Sequence, residues 1–383
     1  MYFPHKKLVF YLLLPILVCA SCKKFLDVGN PQDKIVAKYV YQSNASAAAV
    51  LTGLYFDLVQ FDNISQGQFG ISIGCGLSAD ELVVFPTNFS SIGLYQNNFG
   101  GDIFWSPLYS NIHRVNAAIE GLSAATSLTP AVQQQLLGEA KFLRALFYFY
   151  LVNLYGDVPI LTTADYKVNA VASRSSIVNV YKQIITDLQE AQSELSENYM
   201  EADGITTKPA TERIRPTKWA ATALLARVLL YTGNWTAAAA QSSMIIDHKA
   251  LYDTVSLNDV FFKNSREAIW QLQPSYISGD FFHTLDARVF VLENGPDESE
   301  HPFWMSSFLL NAFESGDQRK INWIGVDSST GTYYYFPFKY KLYKSEQAQN
   351  EYLMIFRLAE QYLIRAEARA KLGSLDESRS DLN

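Results

Sequence analysis

Three features of the sequence predict a mainly α-helical protein of helix pairs, with long irregular loop and short-strand insertions. Ala226, Gly233 and Ala238 share their spacing with Ala366, Gly373 and Ser378. Small residues let two helices approach closely, and the glycine between them closes the first helix in a left-handed conformation. From Ala131 onward, Leu136, Leu143, Phe147, Tyr150 and Leu154 mark one helical face, and Phe142, Leu146, Phe149 and Leu151 widen it until the helix is apolar nearly all round. Such a helix is sandwiched between others. The third feature is a pair of long stretches, 63–104 and 251–347, that lack helical periodicity. Tetratricopeptide-like pairs and a generic helical bundle satisfy the glycine spacing equally well.

The elements follow in order. Lys6 and Lys7 precede an apolar run from Leu8 to Val18, and Cys19-Ala20-Ser21-Cys22 comes next. This is the layout of a signal peptide over residues 1–21. The run is short of the roughly 20 residues a membrane-spanning helix needs, and Pro15 interrupts it. Small residues directly before Cys22 resemble a bacterial lipobox, in which Cys22 is acylated and becomes the mature N-terminus; Cys19 stands where lipoboxes usually carry leucine. Two or three acyl chains, at about 0.8 kcal/mol per buried methylene, suffice to hold a protein to a membrane. Without acylation the same layout is an ordinary secretory leader. Residues 22–44 then read as a polar tether.

A helical region spans 45–250, with helices expected at Ala45–Val59, Trp105–Leu122, from Ala131, Arg174–Leu195, Thr217–Thr232 and from about Asn234. It is interrupted by the 63–104 excursion, which carries Phe69, Phe85, Phe89, Tyr95 and Phe99. Loops longer than about 15 residues are usually functional or disordered, and disordered segments are poor in aromatics. The excursion therefore reads as ordered and functional. Gly70, Gly74 and Gly76 lack the Lys-Ser/Thr of a phosphate loop and read as turn glycines. In the second stretch Ala268–Leu272 and Tyr333–Phe336 are strand-like.

Composition narrows the function. With 383 residues, 49% of them hydrophobic, the chain has ample material for a core. A net charge of -7 lacks the basic footprint of nucleic-acid binders. Once the leader is removed and Cys22 acylated, Cys75 is the remaining free thiol, expected to act as a small buried apolar side chain. None of the histidines has zinc-type spacing, and no cofactor motif is present.

A series of motifs then carries a family resemblance. Ser21-Cys22-Lys23-Lys24-Phe25-Leu26-Asp27 leads to Asn30-Pro31; Trp105, Tyr109, Ile112 and Asn116 follow at helical spacing. Gly138-Glu139-Ala140-Lys141-Phe142-Leu143-Arg144-Ala145 runs on to Tyr155-Gly156-Asp157-Val158-Pro159. Glu267-x-Ile269-Trp270 and Arg357-Leu358-Ala359-Glu360-x-Tyr362-Leu363-Ile364-Arg365-Ala366 complete it. In this order the motifs resemble the SusD/RagB family of nutrient-uptake lipoproteins. The resemblance implies a tetratricopeptide-like scaffold, non-catalytic binding of an oligosaccharide or other nutrient, lipid anchorage on the outer face of the outer membrane, and delivery to a SusC-type TonB-dependent transporter. It also implies that the C-terminal region, 251–383, is incomplete, since relatives continue beyond the helix pair in which Asn383 falls.

Sugars present an apolar C–H face and a rim of hydroxyls, so their sites combine aromatic platforms with amides, carboxylates and guanidinium groups. The irregular stretches hold that mixture. Asp80, Tyr95 and Asn98 in the first, and Trp304, Arg319, Trp323 and Tyr334 in the second, are the expected ligand contacts; the Asp80-Glu81 pair matches an acidic position of the family's early loop. Phe281 and Phe282 are available beside them, whereas Trp105, Trp219 and Trp270 lie in apolar-periodic motifs and are assigned to the core. Asp297, Glu298, Glu300 and His301 read as a solvated acidic loop rather than a cation site. Two other functions compete. A glycoside hydrolase would need two carboxylates facing across a sugar, for instance Asp80 and Glu300; a pure protein-interaction scaffold would leave the aromatic excursions without a role.

Overall fold

The computed structural model describes residues 37–60, 65–98, 103–201, 203–206, 212–275, 283–344 and 348–383. Cys22, the leader and most of the tether lie outside the described residues, as do Phe99, Phe281 and Phe282. A single turn, α1 (Ala37–Val40), ends an N-terminal unit at Val40; the unit that follows is Tyr41–Asn383.

That unit is a row of helices, each packed on its predecessor and successor. It starts with α2 (Asn44–Leu58), whose first turn is capped by the Ser43 side chain accepting from the Ser46 amide. Next in the row are α5 (Trp105–Ala124) and α6 (Pro130–Tyr155), the latter opening on Pro130, where its missing N–H costs no helical bond. Every residue of α6 from Gly138 to Phe149 is buried except Lys141. The reason is its place: α5 covers one side and α8 (Ile177–Glu194) the other. Then come α9 (Lys218–Tyr231), α10 (Trp235–Ile246), α14 (Leu358–Lys371) and α15 (Leu375–Leu382).

The two repeated triplets do what their spacing requires. Gly233 and Gly373 adopt φ of 76° and 86°, closing α9 and α14. Ala226, Ala238, Ala366 and Ser378 are buried where the paired helices cross, and the Ser378 hydroxyl donates to the Ala366 carbonyl at 2.7 Å. The pairs are tetratricopeptide-like.

Buried ion pairs tie the row together through the Gly138–Ala145 motif. Glu139 of α6 accepts two bonds from Arg215 (2.9 and 3.1 Å), one from the Tyr55 hydroxyl (2.8 Å) and one from Gln135 (3.0 Å). Arg144, one turn on, forks onto Asp187 of α8 at 2.7 and 2.9 Å and donates to Asn116 of α5 at 3.0 Å. Arg227 of α9 forks onto Glu360 of α14 at 2.5 and 2.7 Å.

Among the described residues the irregular stretches and the strand after them form three two-stranded antiparallel ribbons. In the first, β1 (Leu82–Val84) pairs with β3 (Phe303–Met305), Val83 opposite Trp304, which joins the early excursion to the late one. In the second, β2 (Ala268–Leu272) pairs with β6 (Leu353–Arg357), and β6 runs without a linker into α14, Arg357 being both its last residue and the helix cap. In the third, β4 (Ile324–Asp327) pairs with β5 (Tyr334–Pro337). Trp270 and Trp219 are buried, as assigned.

Four expectations are corrected. The excursion is not irregular throughout: it contains the helix α3 (Ile71–Ser78) and the short turn α4 (Ile92–Tyr95). Gly74 and Gly76 are buried inside α3 and are not turn glycines; a Cβ would lie 2.5 Å from the Phe104 ring at Gly74 and 3.0 Å from Leu82 at Gly76, so their role is close packing. Cys75, between them, turns the other way and is exposed, not buried. Trp105 is only half-buried, its ring edge-on to Tyr155 with the Arg174 guanidinium 5.1 Å above it. Among the described residues no helix is long and apolar enough to cross a membrane.

Candidate ligand site

A cavity of about 730 Å³ lies where the helical row meets both irregular stretches. Its volume falls in the range of small-molecule sites, roughly 300–1,000 Å³. Leu146, Phe147 and Tyr150 of α6, with Trp270 and Met354 of β2 and β6, form the scaffold side. The opposite side comes from Ser72 and Gly76 of α3, Asp286 of α11 (Leu285–Phe290), Met305 of β3, Phe313, and the Trp323–Tyr340 region. The glycines of α3 have a purpose here, since they let that helix sit close against Phe104 and Leu82 and present Ser72 to the cavity.

The charged groups of the wall are mostly committed. Asp286 accepts from the Gly67 amide at 2.8 Å and the Ser72 hydroxyl at 3.3 Å. Burial nonetheless pushes its carboxyl up to about 6, because those two neutral donors do not offset the loss of water. Glu360 is held by Arg227, and Arg357 by Glu267 at 3.3 Å. The Arg357 guanidinium lies 5.6 Å from the Trp323 ring on the indole's cation-attracting face. The Lys339 amine lies 5.6 Å from the same ring. Lys339 is accessible yet has protein on most sides, as a group on a cavity wall does; desolvation, with the nearby Arg357 charge, depresses its amine below the ordinary lysine value.

The expected contacts separate into groups. Trp323 lines the cavity, its N–H donated to the Leu257 carbonyl at 2.8 Å and its ring edge-on to Phe261 at 5.5 Å. Arg319, on α13 (Gln318–Asn322), is exposed and forks onto Asp317, with its guanidinium 5.9 Å from the ring of the cavity residue Phe313. Trp304 and Tyr334 come together outside the cavity, and Asp80 lies apart from them, just before β1. Asp80 and Trp304 are the chain neighbours of the lining residues Glu81 and Met305, and strand alternation turns Trp304 to the other face of β3. Its indole is edge-on to Tyr334 at 5.5 Å, and the Asp80 carbonyl accepts from the Ser306 hydroxyl. Tyr95 is half-buried at the end of α4, and Asn98 is exposed, its amide donating to Gly93 at 2.9 Å. In the acidic loop Asp297 accepts from the Ser299 and Glu300 amides at 2.7 Å. Among the described residues no three metal-binding side chains converge.

Sequence reasoning missed Asp286, Phe313, Lys339 and Arg357. The one available signal for Lys339 was a cation within the aromatic run from Tyr333 to Tyr343, but Lys341 shares it.

Comparison with known proteins places this architecture. Residues 24–230 match a SusD-like family described as starch-binding and associating with the outer membrane, and residues 192–383 match the SusD family. SusD-like protein P25 of Formosa agariphila is 28% identical over 285 residues, 70% of this chain and 51% of that protein. A SusD-like protein of Bacteroides ovatus is 27% identical over 241 residues, 61% of this chain and 40% of its own length. The chain thus spans about half, or less, of the curated relatives it matches. Among solved structures, a SusD superfamily protein from Bacteroides thetaiotaomicron superposes with a TM-score of 0.73 at 20% identity, covering 89% of this chain and 79% of that one. A laminarin-binding SusD-like protein gives 0.69 at 20% identity, covering 90% and 85%. With two family matches that together run from residue 24 to residue 383, and a helical row shared with solved members, the chain belongs to the SusD family.

Proposed function

We propose that this chain captures an oligosaccharide or polysaccharide at the cell surface and passes it, chemically unchanged, to a SusC-type TonB-dependent transporter. The observation that carries the proposal is the aromatic-walled cavity with a few polar groups set into it, which matches the two-sided chemistry of a sugar. Two comparisons support it: the family is described as starch-binding and outer-membrane-associated, and a protein of like fold binds laminarin. In this reading Trp323 walls the inner site. Trp304 and Tyr334 form an outer patch over which a longer chain extends, with Asp80, Arg319, Tyr95 and Asn98 as further outer contacts. Acylated Cys22 holds the protein to the outer membrane.

Calorimetry with a panel of neutral and acidic oligosaccharides, laminarin fragments among them, tests the proposal. At least one should bind without new reducing ends appearing. Release of reducing ends would make the protein a hydrolase. No binding across the panel, with a transporter still co-purifying, would leave only a protein scaffold. Trp304→Ala should weaken a polysaccharide more than a short fragment if the outer patch is used.

A further inference from the structure

The ribbon of β4 and β5 has two faces of different character. Residues directly opposite in an antiparallel pair point the same way, and the direction alternates along each strand. The register sets Gly325 against Phe336 and Asp327 against Tyr334, which share one face; Ile324 against Pro337 and Val326 against Tyr335 share the other. The first face is filled. Phe336 packs with Val291 and Leu292, Tyr334 meets Trp304, and the buried Asp327 carboxylate accepts from the Gly295 amide at 2.7 Å and the Ser329 hydroxyl at 2.9 Å. Gly325 makes that filling possible, since a Cβ there would overlap the Phe336 ring.

The second face starts in the cavity and leaves it. Ile324 and Pro337 line the cavity. Val326 and Tyr335, two residues away along each strand at about 3.3 Å per residue, stand beyond it and are 55% and 39% exposed. Tyr333, just before β5, continues the alternation and is 69% exposed. Single exposed apolar side chains need no explanation, but a strip of them continuous with a concave site does. None of these side chains is charged, and past them the hairpin turn adds the exposed hydroxyls of Ser328, Thr330 and Thr332. An uncharged aromatic strip ending in hydroxyls fits the C–H face and hydroxyl rim of a neutral sugar chain. Two strands wide, about 10 Å, it is far smaller than the roughly 800 Å² per partner that a stable protein interface buries.

We infer that the outward face of β4 and β5 extends the cavity site, and that an uncharged polysaccharide runs out of the cavity along it with its sugar rings on Tyr335 and Tyr333. The inference rests on the glycan-binding function proposed above and names its substrate class, a neutral chain longer than the cavity. Trp304 and Tyr334 lie against the opposite face, so the two surfaces answer separately to mutation.

The test measures binding of two neutral ladders, laminaribiose to laminarihexaose and maltose to maltohexaose, to the full chain by calorimetry. In at least one ladder the hexasaccharide should bind about tenfold or more tightly than the disaccharide, the worth of one or two aromatic contacts. Changing Tyr335→Ala and Tyr333→Ala together should remove that gain. Tyr335→Phe should retain it, because the ring and not the hydroxyl makes the contact; circular dichroism verifies that the variants fold. Equal affinity along both ladders, or a gain that survives the double change, would overturn the inference and leave the glycan function standing. A gain removed by Trp304→Ala but not by the tyrosine changes would overturn it too, moving the longer chain to the other face. If neither ladder binds, the inference fails by itself; the glycan function fails with it only if the oligosaccharide panel is also silent.

Discussion

Glu139 has no solvent exposure and relies on Arg215, Tyr55 and Gln135 to replace the water it lost. Removing one partner strands the charge, so Arg215→Ala should cost about 3–5 kcal/mol in urea unfolding. Replacing Glu139 and Arg215 together with Gln and Met should cost clearly less than the single change. Asp286 behaves in the opposite sense. Its folded carboxyl titrates at about 6 against an ordinary 3.8, so the folded state holds the proton more tightly. Its contribution is intact below about pH 4 and is lost as the pH rises through 6, a penalty on the order of 2–3 kcal/mol at neutrality. Asp286→Asn should flatten the loss of stability between pH 4 and 6 and unfold at higher urea than the parent at pH 7; an unchanged slope would refute this. At this scale the sequence was legible where a residue type has one common use. Trp270 went to the core and the Glu139–Arg144 motif was recognisable. Its partners Tyr55, Asp187 and Arg215 were not, because a pairing over 43 to 84 residues leaves no local trace.

Glycines show what elements add. Gly233 closes α9 at φ of 76°, a conformation that costs a side-chain-bearing residue roughly 1 kcal/mol, and Gly233→Ala should lower stability by about that much. Gly74→Ala should cost about 1–3 kcal/mol despite alanine's better helix propensity, because the new methyl meets the buried Phe104 ring. Equilibrium denaturation of both variants separates the two mechanisms: adding Phe104→Leu should relieve the second and leave the first. The helices of the row were readable because burial on one or more faces writes a 3.6-residue period. The helix α3 was not, since Ile71-Ser72-Ile73-Gly74-Cys75-Gly76 has two weak helix formers that only the packing of Phe104 and Leu82 explains.

For the molecule as a whole, the apolar interior is unequal. One large cluster runs through the helical row, while Val260, Phe261 and Trp323 form a small satellite near the cavity, and Val291, Leu292 and Phe336 another. Small clusters open first. Amides of 324–337 should therefore exchange through local opening, at a lower free energy than those of α6, and a bound sugar should protect them. Exchange of both regions only by global unfolding would show the satellites to be part of one cooperative body. The order of helices and the existence of two excursions could be read from the chain. That the excursions meet each other through β1 and β3 could not, because the pairing spans more than 200 residues and three residues a side.

The cavity has two unlike walls, and the difference bears on how such proteins change over generations. Leu146, Phe147 and Tyr150 stand on a helix packed on several sides, so a substitution there disturbs neighbours that have no part in binding. Lys339 stands on a segment that faces solvent beyond the cavity, where a replacement disturbs little, unlike the buried Trp323. Nutrient preference can then drift through one wall while the other stays constant. Relatives with a different diet should keep the α6 side and differ at the position of Lys339.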